Sequence, residues 1–315
     1  MLRCELTDYV RDKTMTAIKF SKWALLSAAG LALAACGGGD RPADPQTAET
    51  EAVETETVEA PDTAEAPLSL AEVIADPRRA EESPRDQFRN PQETLEFFEI
   101  GPNQRVAEIW PGWYTNVLAP YLAANDGTYV AVQYPTGVNE RLDARVQAYK
   151  DTYSDTSVYG DIEYGAFMKD SGPILPAESV DTILTFRNIH NWMGGGYADQ
   201  AFEEFYAALK PGGLLGVVEH RLPETASQDP RGSSGYVQES YIKDMAARAG
   251  FEFVAASEVN ANPKDTADHP MGVWTLQPSS RLPEEGSEEA VDFEADLYKN
   301  IGESDRATLK FRKPL

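Results

Sequence analysis

The chain reads as an α/β domain on a mostly parallel sheet covered by helices on both faces. Three segments predict it: Val106-Ala-Glu-Ile-Trp-Pro-Gly112, Val180-Asp-Thr-Ile-Leu-Thr-Phe186 and Leu209-Lys-Pro-Gly-Gly-Leu-Leu-Gly-Val-Val218. Each is a short apolar run, or a turn feeding one, of the kind that forms a buried parallel strand. Helical stretches separate them, an alternation that favours parallel strands joined by crossover helices. In open sheets of this type ligands sit beyond the carboxyl ends of the strands. The stretches expected to carry function are therefore residues 108–116, 187–192 and 219–221.

The first element is a targeting segment. Lys19 and Lys22 form a basic region, Trp23 to Ala35 an apolar run, and Leu33-Ala34-Ala35-Cys36 a small-residue cleavage site ending in cysteine. The run is shorter than the roughly 20 apolar residues that a bilayer crossing needs. Residues 1–36 resemble a bacterial lipoprotein signal, which implies that Cys36 becomes the acylated first residue of a periplasmic protein of the cell envelope. Met15 is the better start, because Met1 to Thr14 carries Glu5, Asp8 and Asp12 where such a signal carries positive charge. Gly37 after Cys36 fits, by the same resemblance, sorting to the outer membrane. With Cys4 removed and Cys36 acylated, the folded part keeps no thiol for a disulfide or a cysteine-ligated metal.

Residues 37–66 are Ala, Thr, Pro, Glu and Asp with almost no large apolar side chain. Such a segment buries too little surface to offset its ordering entropy, and it is expected to be a disordered acidic tether spanning roughly 30 Å or more. The formal net charge of -24 excludes nucleic acid and anionic headgroups as partners, since both require a basic surface. The membrane is then reached through the lipid anchor only.

The folded part is expected to run from residue 67 to residue 315. Leu70 to Ile74 opens a short helix, and Pro91 to Phe98 a second that ends at Gly101-Pro102. Arg105 to Ile109 is the first strand. Thr115 caps a helix through Ala124, with Val117, Leu118, Tyr121 and Leu122 on its apolar face. Thr128 to Val132 is the second strand, Val138 to Tyr149 a helix, and the third strand lies loosely within Val158 to Phe167. Asp181 to Phe186, the helix Tyr197 to Leu209 and the strand Leu214 to Val218 follow, with Lys210-Pro-Gly-Gly213 as a helix-stopping turn. Gly235 to Ala249 reads as a helix with Val237, Tyr241, Met245 and Ala249 on one stripe. Phe251 to Val259 and Ala307 to Arg312 read as closing strands. Between them residues 260–305 form a long polar insertion, expected to fold over the carboxyl edge as a lid.

Four motifs carry a family resemblance: Glu-Ile-Trp-Pro-Gly-Trp-Tyr-Thr (108–115), Thr-Phe-Arg-Asn-Ile-His-Asn-Trp (185–192), Lys-Pro-Gly-Gly (210–213) and Asn-Ala-Asn-Pro-Lys-Asp (260–265). From about Leu70 onward the chain resembles class I S-adenosylmethionine-dependent methyltransferases, and more closely predicted methyltransferases of bacterial envelopes. The resemblance implies a Rossmann-like, doubly wound sheet of seven strands with the last antiparallel. It also implies S-adenosylmethionine as cofactor, bound over the first loop.

Candidate cofactor contacts are Glu108, Trp110, Gly112 and Tyr114 around that loop, Gln133 after the second strand, and Arg187 and Asn188 after the fourth. Two departures from the family stand out. Trp110 and Pro111 occupy glycine-type positions where the backbone should approach the cofactor, and Gln133 stands where a carboxylate would accept from the ribose hydroxyls. Candidate catalytic groups are His190 as general base, Asn191 holding the acceptor, and His220 at the end of the fifth strand. His269 in the insertion would complete a histidine face. No His-x-x-x-His spacing supports a metal, and none is assigned.

Two function classes follow. One is methyl transfer to a small-molecule acceptor. The other is a tethered binding or scaffold protein on the same fold that has lost donor binding, favoured by the two departures and by a donor made in the cytoplasm. Hydrolase chemistry lacks a Gly-x-Ser-x-Gly elbow.

Overall fold

The computed structural model describes residues 67–315, so the expected signal and tether lie outside the described residues. Three short helices, α1 (Leu70–Ile74), α2 (Asp86–Arg89) and α3 (Pro91–Phe97), precede the sheet. Alternation then begins with β1 (Arg105–Ile109), α4 (Thr115–Ala123), β2 (Thr128–Gln133), α5 (Glu140–Thr152), α6 (Thr156–Tyr159) and β3 (Glu163–Ala166). It continues with β4 (Val180–Phe186), α7 (Ile189–Gly195), α8 (Ala198–Ala208), β5 (Leu209–His220), α9 (Glu239–Ala249) and β6 (Glu252–Ser257), and ends with α10 (Ala295–Ile301) and β7 (Arg306–Arg312).

The seven strands lie in the order β3-β2-β1-β4-β5-β7-β6. Pairing is parallel from β3 to β5, whereas β7 runs antiparallel to both β5 and β6. The chain winds outward from β1 to β3 and restarts at β4 on the other side, so the crevice that receives ligands opens between the ends of β1 and β4. The side chains alternate across the sheet. On one face Ala107, Ile109, Val130 and Val132 pack with Trp192, Phe202, Phe205, Ile242 and Met245 from α7, α8 and α9. On the other Val106, Tyr129 and Ala131 pack with Leu95, Phe98, Val117, Leu118 and Leu122 from α3 and α4. Each fully buried Leu or Phe contributes about 1.5–3 kcal/mol to that packing.

Several local expectations are corrected. Thr115 is the first residue of α4 and not its cap; its buried hydroxyl is shared between the Tyr129 and Tyr149 hydroxyls at 3.0 and 2.9 Å. Lys210-Pro-Gly-Gly213 lies inside β5, because Gly212 and Gly213 exchange backbone bonds with Lys313. Gly212 holds φ +77 there, which a side chain would resist. Helix α9 starts only at Glu239, since Val237 bonds instead to His220 and Leu222 in a short parallel bridge.

The 260–305 insertion is pinned at Asp265. Its carboxylate accepts from the Tyr236 hydroxyl, from the backbone N–H of Ala267 and Asp305, and binds His269 Nε2 at 2.7 Å. These bonds, led by the one from His269, hold the Asp265 carboxyl below the usual range although burial opposes them. Asn262 adds three bonds, to Asp305 and to the carbonyls of Ile301 and Glu303. The 260–265 motif thereby fixes where residues 303–305 enter β7.

Candidate active site

The cleft has two halves of opposite character. Over β1, β2 and β3 it is aromatic. Trp110 has φ +48, a left-handed conformation unfavourable for a residue with a Cβ, and its ring packs against the core of the α7–α9 face. The indole stacks on Tyr134 at 4.5 Å, meets Trp192 edge-on at 5.7 Å and donates its N–H to the Phe167 carbonyl at 3.0 Å. Groups beyond β2, β3 and β4 thus all hold one ring. No sequence pattern marks this convergence.

Glu108, next to last in β1, is buried. One oxygen accepts from the Tyr129 hydroxyl at 2.6 Å and the other from the Gly112 N–H at 3.2 Å. Burial, outweighing those two bonds, pushes its carboxyl up to about 7. Gly112 has open space where a Cβ would lie, so its role here is the N–H given to Glu108. The structure places Tyr114 in the core rather than along the cleft: it stacks on Phe186 at 3.9 Å and donates its hydroxyl to the Arg89 carbonyl. Burial raises that phenol to about 12. Gln133 is buried at the end of β2 with its side-chain Nε2 lacking any acceptor among the described residues. Asn188 donates to the Ile109 carbonyl at 3.0 Å, tying the end of β4 to the end of β1.

Over β4, β5 and β7 the cleft is polar. Glu219, fully buried near the end of β5, accepts from the Ile189 N–H at 2.6 Å and so caps the start of α7. Its other oxygen binds His190 Nδ1 at 2.9 Å and accepts the His220 N–H. A carboxylate opposite Nδ1 assigns the proton to that nitrogen and leaves His190 Nε2 as the acceptor. His220 lies 5.4 Å from His190, ring to ring, with its Nδ1 2.5 Å from the Ser304 hydroxyl. Burial, together with the charges of His190, Arg187 and Arg306, holds the His220 imidazole well below its usual range, so it is neutral. Trp274, from the insertion, meets the His190 ring edge-on at 5.9 Å, as a covering segment would.

Two of the three expected catalytic residues are therefore adjacent. Asn191 is not with them, since it sits on the exposed side of α7 while His190 is buried. His269 does not join either; Tyr236 stands between it and His220, and its Nε2 is taken by Asp265. His190, Glu219 and His220 bring ligand-type atoms within 4.8 Å of one another, but the Glu219 oxygens are already committed. Glu219 lies in a stretch expected to carry function, 219–221, but the sequence assigned it no role, and nothing in the sequence hinted at Ser304.

No protein-family model matches the chain, and no curated protein matches it in sequence. Among solved structures it is similar to the cyclase SpnF, with 19% identity over 72% of this chain and 81% of that one and a TM-score of 0.48. It is also similar to a putative methyltransferase from Bacillus halodurans, with 15% identity over 72% and 100% of the two chains and a TM-score of 0.47. An S-adenosylmethionine-dependent methyltransferase from Aquifex aeolicus shares 17% identity over 61% and 94%, with a TM-score of 0.43. The strand order, with its antiparallel seventh strand, decides the architecture. The fold is the Rossmann-like, doubly wound sheet of seven strands with the last antiparallel, as expected from the sequence. Arg187 and Asn188 stand in it at the switch between β4 and β1, and His190 and His220 at the ends of neighbouring parallel strands.

Proposed function

We propose that the domain catalyses methyl transfer from S-adenosylmethionine to an oxygen or nitrogen of a small-molecule acceptor, with His190 as general base. The observation that carries this reading is the pair formed by His190 Nδ1 and Glu219 Oε1 at 2.9 Å. Glu219 orients the imidazole and stabilises the cation formed when Nε2 takes the acceptor's proton, as in other base–carboxylate pairs. Neutral His220 and the Ser304 hydroxyl offer hydrogen bonds to the acceptor. The bound donor would supply an activated methyl group, and transfer then requires mostly alignment and exclusion of water.

The residues fit the donor on one condition. Gln133 Nε2, buried and without an acceptor among the described residues, is available to a ribose hydroxyl, whereas the Trp110 ring fills the aromatic half of the cleft. Donor binding needs that ring to swing out. Trp110 also favours the second reading, a binding protein on a fold that no longer takes the donor. Titration calorimetry of the full chain and of Trp110→Ala with S-adenosylmethionine and S-adenosylhomocysteine separates the two. Binding by either protein supports methyl transfer; millimolar ligand without heat from both removes it.

The lipid anchor is part of the proposal. Cys36 is expected to carry the acyl chains, each buried methylene contributing about 0.8 kcal/mol. Labelling with a clickable palmitate analogue should mark the protein and should fail in Cys36→Ser.

A further inference from the structure

We propose that the β4–β7 half of the cleft is a binding site for a compact oxyanion, a carboxylate or phosphate group borne by a small molecule. Four guanidinium groups, of Arg85, Arg89, Arg187 and Arg306, act on a single carboxylate, Glu303. Arg85 Nε reaches Glu303 Oε1 at 2.7 Å, Arg89 Nε lies 3.1 Å from Oε2, and Arg306 Nη1 lies 3.1 Å from Oε2. Arg306 is otherwise satisfied by the Ser304 and Phe88 carbonyls.

The others are not. Arg89 is 1% exposed; its guanidinium lies over the Trp113 ring at 4.8 Å, and both its Nη1 and Nη2 lack any acceptor among the described residues, as does the buried Nη2 of Arg85. Buried charged donors without acceptors are strongly disfavoured, so a site that retains them is one that a ligand completes. The Arg187 side chain makes no hydrogen bond or ion pair with a described residue. Its backbone is held at φ +63 directly after β4, a strained conformation of the kind found where a side chain must be aimed.

The neighbouring acids do not supply the missing charge. Glu219 is bound to Ile189, His190 and His220, and Asp86 is paired with Arg79. Glu108 is bonded to Tyr129 and Gly112, and its raised pKa leaves it partly neutral near pH 7. Planar forks of N–H donors match carboxylate and phosphate oxygens two at a time. Three of these arginines, Arg89, Arg187 and Arg306, also bear on His220, so the anion would lie beside the histidines. The site stands whether or not the chain transfers methyl groups. If it does, the acceptor, or the donor's own carboxylate, is the natural occupant.

The test is titration of the full chain with inorganic phosphate and with malonate at matched ionic strength, followed by calorimetry and by thermal shift. Saturable binding is expected, weakened about tenfold or more in Arg187→Gln, as loss of one charge-assisted contact implies, and partly restored in Arg187→Lys. Arg187→Gln breaks no hydrogen bond or ion pair to a described residue, so its circular dichroism should match wild type. S-adenosylhomocysteine and 5′-methylthioadenosine, which lacks the amino-acid carboxylate, tell the sources apart. Arg187-dependent preference for the former assigns the site to the donor; indifference between them, with phosphate or malonate still bound, assigns it to a separate acid. Absence of saturable anion binding in wild type, or equal binding in Arg187→Gln, overturns the proposal.

Discussion

The indole of Trp110 lies against the phenol ring of Tyr134, 4.5 Å between centroids and 24° between planes. A flat heteroaromatic ring thereby occupies the end of β2, with its N–H on a backbone carbonyl beyond β3. A nucleoside base in that half of the cleft would compete for the same stacking surface.

Trp110→Ala should therefore raise the affinity of the full chain for S-adenosylhomocysteine. The stability cost is expected to be roughly 2 kcal/mol, below that of a fully buried tryptophan because the ring is only partly covered. Calorimetry and urea denaturation of the same samples check both halves, and an unchanged affinity would mean that the ring does not block the site.

Glu219→Gln should release the proton position on His190. In the wild type, nitrogen-15 spectra of the imidazole are expected to show the Nδ1–H form set by the Glu219 bond. In the variant that preference should weaken, and the proposed methyl transfer should fall by about two orders of magnitude. An unaltered tautomer would remove Glu219 from its orienting role.

Glu108 gives a stability term that diminishes with rising pH. Its carboxyl is raised by burial from 4.5 to about 7, so the folded state binds the proton more tightly than the unfolded one. The contribution is fully present below pH 4.5 and is lost as pH rises through about 7, an effect on the order of 3 kcal/mol. Glu108→Gln, which cannot ionise, should gain stability relative to wild type between pH 5 and pH 8. Urea midpoints across that window, flat in their difference, would contradict it.

Glu303 behaves oppositely. Burial alone would raise its carboxyl, but Arg306, Arg89, Arg187 and Arg85 together hold it at about 2. Its stabilising contribution is present above pH 4.5 and is lost as pH falls toward 2, again on the order of 3 kcal/mol. Glu303→Gln should lose stability at neutral pH and show a shallower acid decline. It should also bind phosphate more tightly, since it removes the resident carboxylate.

Strand β1 was legible to the residue, because its apolar run is closed by Gly101-Pro102 before it and by Pro111-Gly112 after it. Strand β3 was not, since Glu163–Ala166 lies at the sheet edge and carries no continuous apolar run. The Lys-Pro-Gly-Gly segment has the composition of a turn, and only its pairing with Lys313 makes it strand. Within the site, Arg187, His190 and His220 were legible because a strand's carboxyl end can be placed from local pattern.

Their partners were not. Glu303 meets Arg89 across 214 positions of chain and Ser304 meets His220 across 84. Local periodicity thus specified which segments become strands and helices, and hence the sheet and the edge where chemistry belongs. The direction of the Trp110 ring, the pairing of His190 with Glu219 and the gathering of four arginines on one carboxylate were decided by tertiary structure. Side-chain hydrogen bonds and charge contacts act over a few ångströms in space, and no local pattern in a single sequence encodes which distant residues will come that close.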